Sequence, residues 1–405
     1  MAVASGDGCR TLRNEYGYGP NADRRHAPSF RPILMQMNHQ HARGNAMIRL
    51  HTPHSEAAIS VAVHTASSLR SRLPSLAEFA THRANTALGA DPNWLTVLHK
   101  GLQHDVFAVE ATAEGRTCGY LPLAYVNSIL FGRFLVSLPY LNSNGVVADS
   151  PDVQMLLIDR AVELADELNV RHLELRHETP IEHPELNGKM TTKVHMRLAL
   201  PKTTDLLWKK LDTKVRNQVR KGEKSDLTVT WGGEELLNKY YAVMSQNMRD
   251  LGTPLYHRDF FREMLRTFPG QAEICLVSAG EQPIATAMLL HGRGITEVPT
   301  ASSLREFNAT CANMLMYRHL LDRAVERGQS VFDFGRSTLD GPTFKFKKQW
   351  GAETHPATWQ YYLRSGALGE MRPENPRYQK MIRMWQRLPI RITQMIGPPI
   401  VRGIP

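Results

Sequence analysis

Apolar positions along this chain switch between a period of two and a period of three to four. From about residue 94 the switches alternate strand with helix. Residues 106–111 read as a strand. Residues 119–127 and 134–141 read as two more, joined by a link containing Gly132. Residues 152–168 are a predicted helix in which Met155, Ile158, Val162 and Leu168 mark an apolar stripe and Pro151-Asp152 opens the segment. Strands are predicted at 172–176 and 193–200, the second closed by Pro201. One long helix is predicted over 204–224, because Leu207, Leu211, Val215 and Val219 recur every fourth residue and give one buried face. A strand at 227–231, a Gly232-Gly233 turn and helices at 234–251 and 257–268 come next. Strands at 272–278, 283–291 and 295–300 precede a helix at 308–327, a strand at 331–335, a short helix at 343–350 and a last strand at 358–363. The expected fold class is α/β with mixed sheets.

The two halves echo each other. Asp159-Arg160-Ala161-Val162-Glu163 recurs as Asp322-Arg323-Ala324-Val325-Glu326. Each copy lies late in a predicted helix. Each helix runs into a short strand with an acid inside it and an arginine at its end, Glu174 and Arg176 in one, Asp333 and Arg336 in the other. The shared context argues for duplication of one α/β unit.

Composition narrows the class. The chain has 405 residues, 42% apolar and 22% charged, with a net charge of +10. That is ordinary globular composition and length enough for two or three domains. Cys9, Cys118, Cys275 and Cys311 are scattered and show no metal-ligand spacing, which excludes a zinc ribbon and a disulfide scaffold and suits a reducing cytosol. No apolar run is long enough for a spanning helix; the best stretch is broken by Arg133 and Pro139. A charge of +10 suggests a polyanionic partner, but residues 47–371 carry only +1, against +3 in residues 1–46 and +6 in residues 372–405. Residues 1–46, rich in Gly, Asn, Arg and His, are expected to be a disordered leader or an over-long start upstream of Met47. In the tail, Tyr378, Met381, Ile382, Trp385 and Leu388 share one helical face, and Arg377, Lys380, Arg383 and Arg387 fill the gaps. Such a basic amphipathic element fits an anionic membrane face, with docking on the protein's own surface or on a partner as the alternative.

The most informative stretch is Phe332-Asp333-Phe334-Gly335-Arg336-Ser337, followed by Gly341-Pro342-Thr343-Phe344-Lys345-Phe346-Lys347-Lys348-Gln349-Trp350-Gly351. A strand ends at a glycine, hands over an arginine and a serine, and turns into a short helix with three lysines. Ligands gather at strand C-termini in open α/β sheets, and cations there suit a phosphate or a developing oxyanion. A plain strand-turn-helix junction with solvated lysines is the alternative.

These segments, with Lys214-Val215-Arg216-Asn217-Gln218-Val219-Arg220-Lys221 and Ala312-Asn313-Met314-Leu315-Met316-Tyr317, resemble the FemAB family of acyl and aminoacyl transferases, closest to its exosortase/PEP-CTERM-associated, BioF2-like branch. The resemblance covers about residues 94–366 and the tail. It implies two tandem GNAT-like domains, at 47–200 and 201–366, followed by a basic amphipathic tail at 367–405. It implies attack by an amine of a cell-envelope (peptidoglycan) or exopolysaccharide precursor on an activated carbonyl, with aminoacyl-tRNA or acyl-CoA as donor substrate and no resident cofactor or metal. Carried over, Lys347 stabilises the oxyanion and Phe346 positions the donor. Arg216, Arg220 and Lys214 offer an anion clamp, with a solvated charged face as the alternative. Arg336, Ser337, Asn313, His257 and Trp350 are further substrate-binding candidates, although a capping role for His257 and a packing role for Trp350 are the stronger readings from the residues alone. The expected location is a bacterial cytoplasm, with peripheral contact on the inner membrane face through the tail. An acyl-CoA-dependent GNAT acetyltransferase and a non-catalytic scaffold of exopolysaccharide assembly are the other readings. The first is weakened because no glycine-rich pyrophosphate cradle follows a second-half strand. The long coiled-coil arm of several peptidoglycan-acting members has no counterpart here, which weighs against tRNA as donor.

Overall fold

The computed structural model describes residues 58–82, 88–128, 131–365 and 376–404. The leader expected at 1–46 lies outside them. Two elements precede the first predicted strand. β1 (Ile59–Thr65) alternates Ile59, Val61 and Val63 along one edge, and α1 (Ala66–Thr81) follows it. The first half continues with α2 (Trp94–Leu102), β2 (Asp105–Ala113), β3 (Arg116–Ser128), β4 (Gly132–Val136), β5 (Val147–Ala148), α3 (Pro151–Glu167), β6 (His172–His177) and β7 (Gly188–Ala199). Ser150 caps α3 by accepting the Val153 N–H, and Pro151 fits its first turn.

The second half begins with a correction. The helix expected over 204–224 is two helices, α4 (Thr204–Lys210) and α5 (Thr213–Glu223). Leu211 takes an extended conformation, and the Asp212 carboxylate accepts the Lys214 N–H to start α5 afresh. A good cap outweighs continuity of the apolar stripe, yet Leu207, Leu211, Val215 and Val219 are all buried as the stripe requires. Then come β8 (Leu227–Gly232), α6 (Leu237–Asp250), α7 (Arg258–Thr267), β9 (Ala272–Ala279), β10 (Gln282–Gly292) and β11 (Ile295–Ser303). α8 (Ala312–Glu326), β12 (Val331–Thr338), α9 (Pro342–Gln349) and β13 (Glu353–Leu363) complete the half. The tail forms α10 (Pro376–Trp385) and α11 (Ile390–Val401).

The thirteen described strands build one mixed sheet, in the order β1-β2-β3-β4-β6-β13-β7-β12-β11-β10-β9-β8, with β5 on β3. The halves trace the same path. β4 runs parallel to β6 after the α3 crossover, and β11 runs parallel to β12 after α8. Their last strands are exchanged: β13 pairs with β6 of the first half, and β7 pairs with β12 of the second. The exchange ties the halves into one sheet and brings the ends of β6 and β12 toward each other.

Among the described residues, three large apolar clusters flank the sheet. One packs α3 on the first-half strands, and a second packs α4, α5, α8 and α9 on the second-half strands. The third belongs to both halves: Trp94, Leu95 and Leu98 of α2 share it with Phe260, Phe261 and Met264 of α7. Gly101 makes that approach possible, because a Cβ there would meet the Phe260 Cα at 2.8 Å.

The tail docks. Gln394 donates to Ser245 Oγ, Gln386 donates to the Asp250 carbonyl, and the Tyr140 hydroxyl donates to the Arg402 carbonyl. Trp385 packs against Gly397, which lies on Leu255. One face of the tail is therefore spent on the body, and Met381, Met384, Ile392 and Met395 remain exposed on the other. The Tyr378 side chain expected on the apolar face lies outside the described residues. Among the described residues, no helix is long and apolar enough to cross a membrane.

Candidate functional site

The site forms where the exchanged strands meet. β11 and β12 pair over only three residues, ending at Glu297 opposite Asp333. Beyond that point β12 carries a bulge between Asp333 and Arg336, and Gly335 adopts φ +76°. The Asp333 carboxylate accepts the Gly335 N–H at 2.7 Å and holds the bulge shut. A Cβ at 335 would lie 3.1 Å from the Asn142 side-chain nitrogen, a tight approach that would push that side chain back, and the Asn142 Oδ1 accepts the Arg336 N–H. Asn142 comes from the loop after β4. The strand predicted through residue 141 stops at Val136, because Leu138 and Tyr140 both take positive φ, a costly state for side-chain-bearing residues. That strained loop carries first-half groups into the second-half turn.

Lys347 rises from α9 into this junction and is 1% exposed. Its ammonium donates to the Gly335 carbonyl at 3.0 Å and the Arg336 carbonyl at 2.9 Å. Two of its three N–H groups are thus fixed by the bulge, and one remains. Burial pushes its pKa down to about 7, with Arg336 adding to the drop and Asp333 opposing it. Asp333 is in turn bonded by Arg197, which also clasps Glu178. Glu297, fully enclosed beside Asp333, is held well above the usual carboxylate range by burial and by that neighbouring charge. His195 on β7 lies opposite Arg336; it is buried, neither ring nitrogen has a partner, and burial lowers its pKa to about 4.

Beside the bulge, two arginines share one indole. The Arg176 guanidinium lies 4.2 Å and the Arg336 guanidinium 4.3 Å from the Trp359 ring centre. Glu174 takes a hydrogen bond from Arg176 Nε at 2.6 Å. Arg336 Nε and Ser337 Oγ are buried without partners. Burial and the neighbouring Arg176 bring the Arg336 pKa down to about 9. Three cationic groups thus converge on a junction whose nearest carboxylates are already bonded. An anionic or strongly polarised group is the natural complement.

The structure brings together Lys347, Arg336 and Ser337. Phe346 is half-buried and stands edge-on to Tyr317 at 4.9 Å, inside the aromatic cluster that also holds Trp350. Trp350 is buried packing at the end of α9. Asn313 is half-buried in the first turn of α8. His257 caps α7, its Nδ1 accepting the Asp259 N–H, and stays largely exposed. The α5 cations form a separate surface: Arg216 donates to Thr213, Arg220 to Asn217 with its guanidinium over Trp208, and Lys214 is exposed. None of the three has a described contact with Lys347.

Arg176, Trp359, Asn142, Arg197 and His195 escaped the sequence-based site. Only Arg176 left a signal there, as the first-half counterpart of Arg336. Among the described residues, no group of three or more His, Cys, Asp or Glu is placed to hold a metal ion.

Residues 209–348 match the sequence pattern of the Acetyltransferase (GNAT) domain family, a span that runs from the end of α4 to Lys348 and includes Lys347. No curated protein matches the chain. Among solved structures, the chain is similar to FemX, at 14% identity and a TM-score of 0.58, over 78% of this chain and 98% of that one. It is also similar to a conserved protein of unknown function from Bacteroides thetaiotaomicron, at 8% identity and a TM-score of 0.51, over 73% and 97%. A tandem GNAT protein of the clavulanic acid biosynthesis pathway matches at 10% identity and a TM-score of 0.46, over 76% and 99%. The fold is a mixed α/β, GNAT-like one, and the chain is an acyltransferase by its matched domain.

Proposed function

We propose that this acyltransferase is FemAB-like and moves an acyl or aminoacyl group onto an amine of a cell-envelope or exopolysaccharide precursor. The observation that carries the reading is Lys347, a buried cation with one uncommitted N–H, locked on the backbone of the Phe-Gly-Arg-Ser bulge inside the matched domain. The acceptor nitrogen attacks the donor carbonyl carbon, forming the new C–N bond and placing negative charge on the carbonyl oxygen. Lys347 meets that charge without reorganising, which contributes roughly 3–4 kcal/mol to such a step. The C–S bond of an acyl-CoA, or the C–O bond of an aminoacyl-tRNA, then breaks, and the proton lost by the amine ends on the leaving group. Arg336, Ser337 and Arg176 hold a polar or anionic part of the substrate against Trp359. The two units run over 47–200 and 201–366, joined by the exchanged strands. The exposed apolar and basic face of the tail supports a reading in which the enzyme rests on the inner face of an anionic membrane.

The test offers acetyl-CoA or aminoacyl-tRNA as donor, and amino sugars or lysine-bearing envelope peptides as acceptor, with products read by mass spectrometry. A donor-dependent mass gain that Lys347→Met abolishes is expected. No product with any pair, or equal product from the variant, overturns the reading. A scaffold protein would tolerate that substitution.

A further inference from the structure

The acids of the two halves meet different arginines. In the first half, Glu174 takes a hydrogen bond from Arg176, two residues on in the same strand. In the second half, Asp333 turns to other partners. Its Oδ1 accepts the Gly335 N–H at 2.7 Å, and its Oδ2 accepts the Nε–H of Arg197 at 2.8 Å. Arg197 stands opposite Asp333 where β7 pairs with β12, so the strand exchange carries a first-half residue to a second-half acid. The other two nitrogens of Arg197 donate to Glu178, which also accepts from Ser143. Burial opposes the charge on Arg197, but the bonds to Glu178 and Asp333 outweigh it and raise its pKa. The guanidinium is therefore fixed at both ends and permanently charged.

Lys347 feels the same carboxylate. Burial and Arg336 weaken its charge, and Asp333 supports it. Its two described bonds nevertheless go to the Gly335 and Arg336 carbonyls and not to Asp333. A lysine and an aspartate in one dry junction form a strong ion pair unless the carboxylate is engaged elsewhere. Both oxygens of Asp333 are so engaged. The other groups near α9 leave Lys347 alone. On β7, His195 is neutral because burial lowers its pKa to about 4, and Lys193 donates to Thr338. Glu297 on β11 keeps its proton near neutral pH, and Tyr317 on α8 keeps its own. Glu353, beside Arg197 on β13, is exposed, as are Lys345 and Lys348 of α9 itself.

We infer that Arg197 is a positioning residue for the transfer: by occupying Asp333 it prevents an ion pair between Asp333 and Lys347, and so keeps the third ammonium N–H free for the developing oxyanion. The purpose of this arrangement rests on the transferase reading, but the state of Lys347 can be measured without it. Arg197 touches no reacting atom and acts only through Asp333.

The experiment reads Lys347 itself, on the full chain and without substrate. Proton–carbon NMR of protein labelled at lysine Cε follows its titration, the signal being assigned by its loss in Lys347→Met. Wild type should titrate near pH 7. Arg197→Met frees Asp333 to pair with Lys347, and the titration should move up by at least about one pH unit. The descending limb of kcat should move with it. Its plateau should fall by up to about a hundredfold, with a smaller change in KM, as expected when an oxyanion donor is diverted. Arg197→Lys, which keeps a cation on Asp333, should restore most of both. Asp333→Asn alone and Asp333→Asn with Arg197→Met should titrate alike, because no carboxylate remains to capture the lysine. That pair decides the matter if Arg197→Met fails to fold. An unmoved or lowered titration in Arg197→Met overturns the inference; a merely structural arginine would cost stability and rate and leave the titration in place. An equal rise with and without Asp333 overturns it as well, since Arg197 would then act through its own charge. A titration that answers to Arg197 in a protein without transfer from any donor keeps the link from Arg197 to Lys347 and removes the transferase reading. Transfer that depends on Lys347, with an unmoved titration, does the reverse.

Discussion

Arg176 and Arg336 lie on one indole ring, 4.2 Å and 4.3 Å from the centre of Trp359. They are counterparts in the two halves, each placed just after the acid of its strand, and β13 is the exchanged strand that supplies the ring between them. Two like charges at such a distance oppose folding unless something offsets them. Trp359 offsets part, and Glu174 bonds Arg176 only.

Arg336 is thus retained at a cost to stability. Arg336→Met keeps the bulk and removes the charge. It should raise the melting temperature by about 2–4 °C while raising the KM for the anionic or polar substrate. Calorimetry and steady-state kinetics on one preparation check both. A variant that is less stable with unchanged KM would show that Arg336 is structural.

The protonation of Lys347 sets the second prediction. Oxyanion stabilisation requires the ammonium, and burial has brought its pKa down to about 7. The rate kcat should therefore carry a descending limb near pH 7. Lys347→Arg, charged throughout, should lose that limb even if its absolute rate is lower. A limb that rises through pH 7 and depends on Lys347 would make the lysine a base instead.

The arrangement of this junction was legible because it is local. Phe-Gly-Arg-Ser names a turn that needs glycine, and Phe346-Lys347 follows within reach. The duplication was legible for the same reason, in the repeated Asp-Arg-Ala-Val-Glu. The strand exchange was not, because the pairing of β13 with β6 joins residues nearly two hundred positions apart and no local pattern encodes it. Trp359 acquires meaning only through that exchange. The α4–α5 break is a different kind of miss: Asp212 is a capping residue in plain view, overridden by a four-residue apolar stripe that continues across the kink. β1 was readable too, as alternation of Ile59, Val61 and Val63.

Glu297 gives a prediction about stability and pH. Burial and Asp333 raise its pKa in the folded state, so between the ordinary carboxylate range and that raised value the folded protein binds a proton that the unfolded chain has lost. Stability from this group therefore falls as pH rises through that window. Glu297→Gln removes the dependence. The variant should match wild type near pH 4 and exceed it by about 2–4 °C in melting temperature at pH 7. A difference that does not change with pH would refute the assignment.

The tail supplies the last prediction. Residues 376–404 contain six cations and no carboxylate. Trp385, Gly397 and Val401 are buried against the body, so deletion of the tail would strip the body's surface as well as remove a binding face. The sharper variants act on the outer face alone. Arg383, Arg387 and Arg391 are exposed there, among Met381, Met384 and Met395, the last 70% exposed. The triple change to glutamine should leave the melting temperature unaltered and weaken binding to phosphatidylglycerol vesicles. At about 1 kcal/mol for each cation near an anionic surface, the loss is roughly a hundredfold at low salt and shrinks as salt is raised. Met384→Ser with Met395→Ser should weaken binding without altering that salt dependence, because it removes only the apolar contribution. Unchanged vesicle binding by both variants would leave the tail a docked brace, with its exposed methionines serving some other contact.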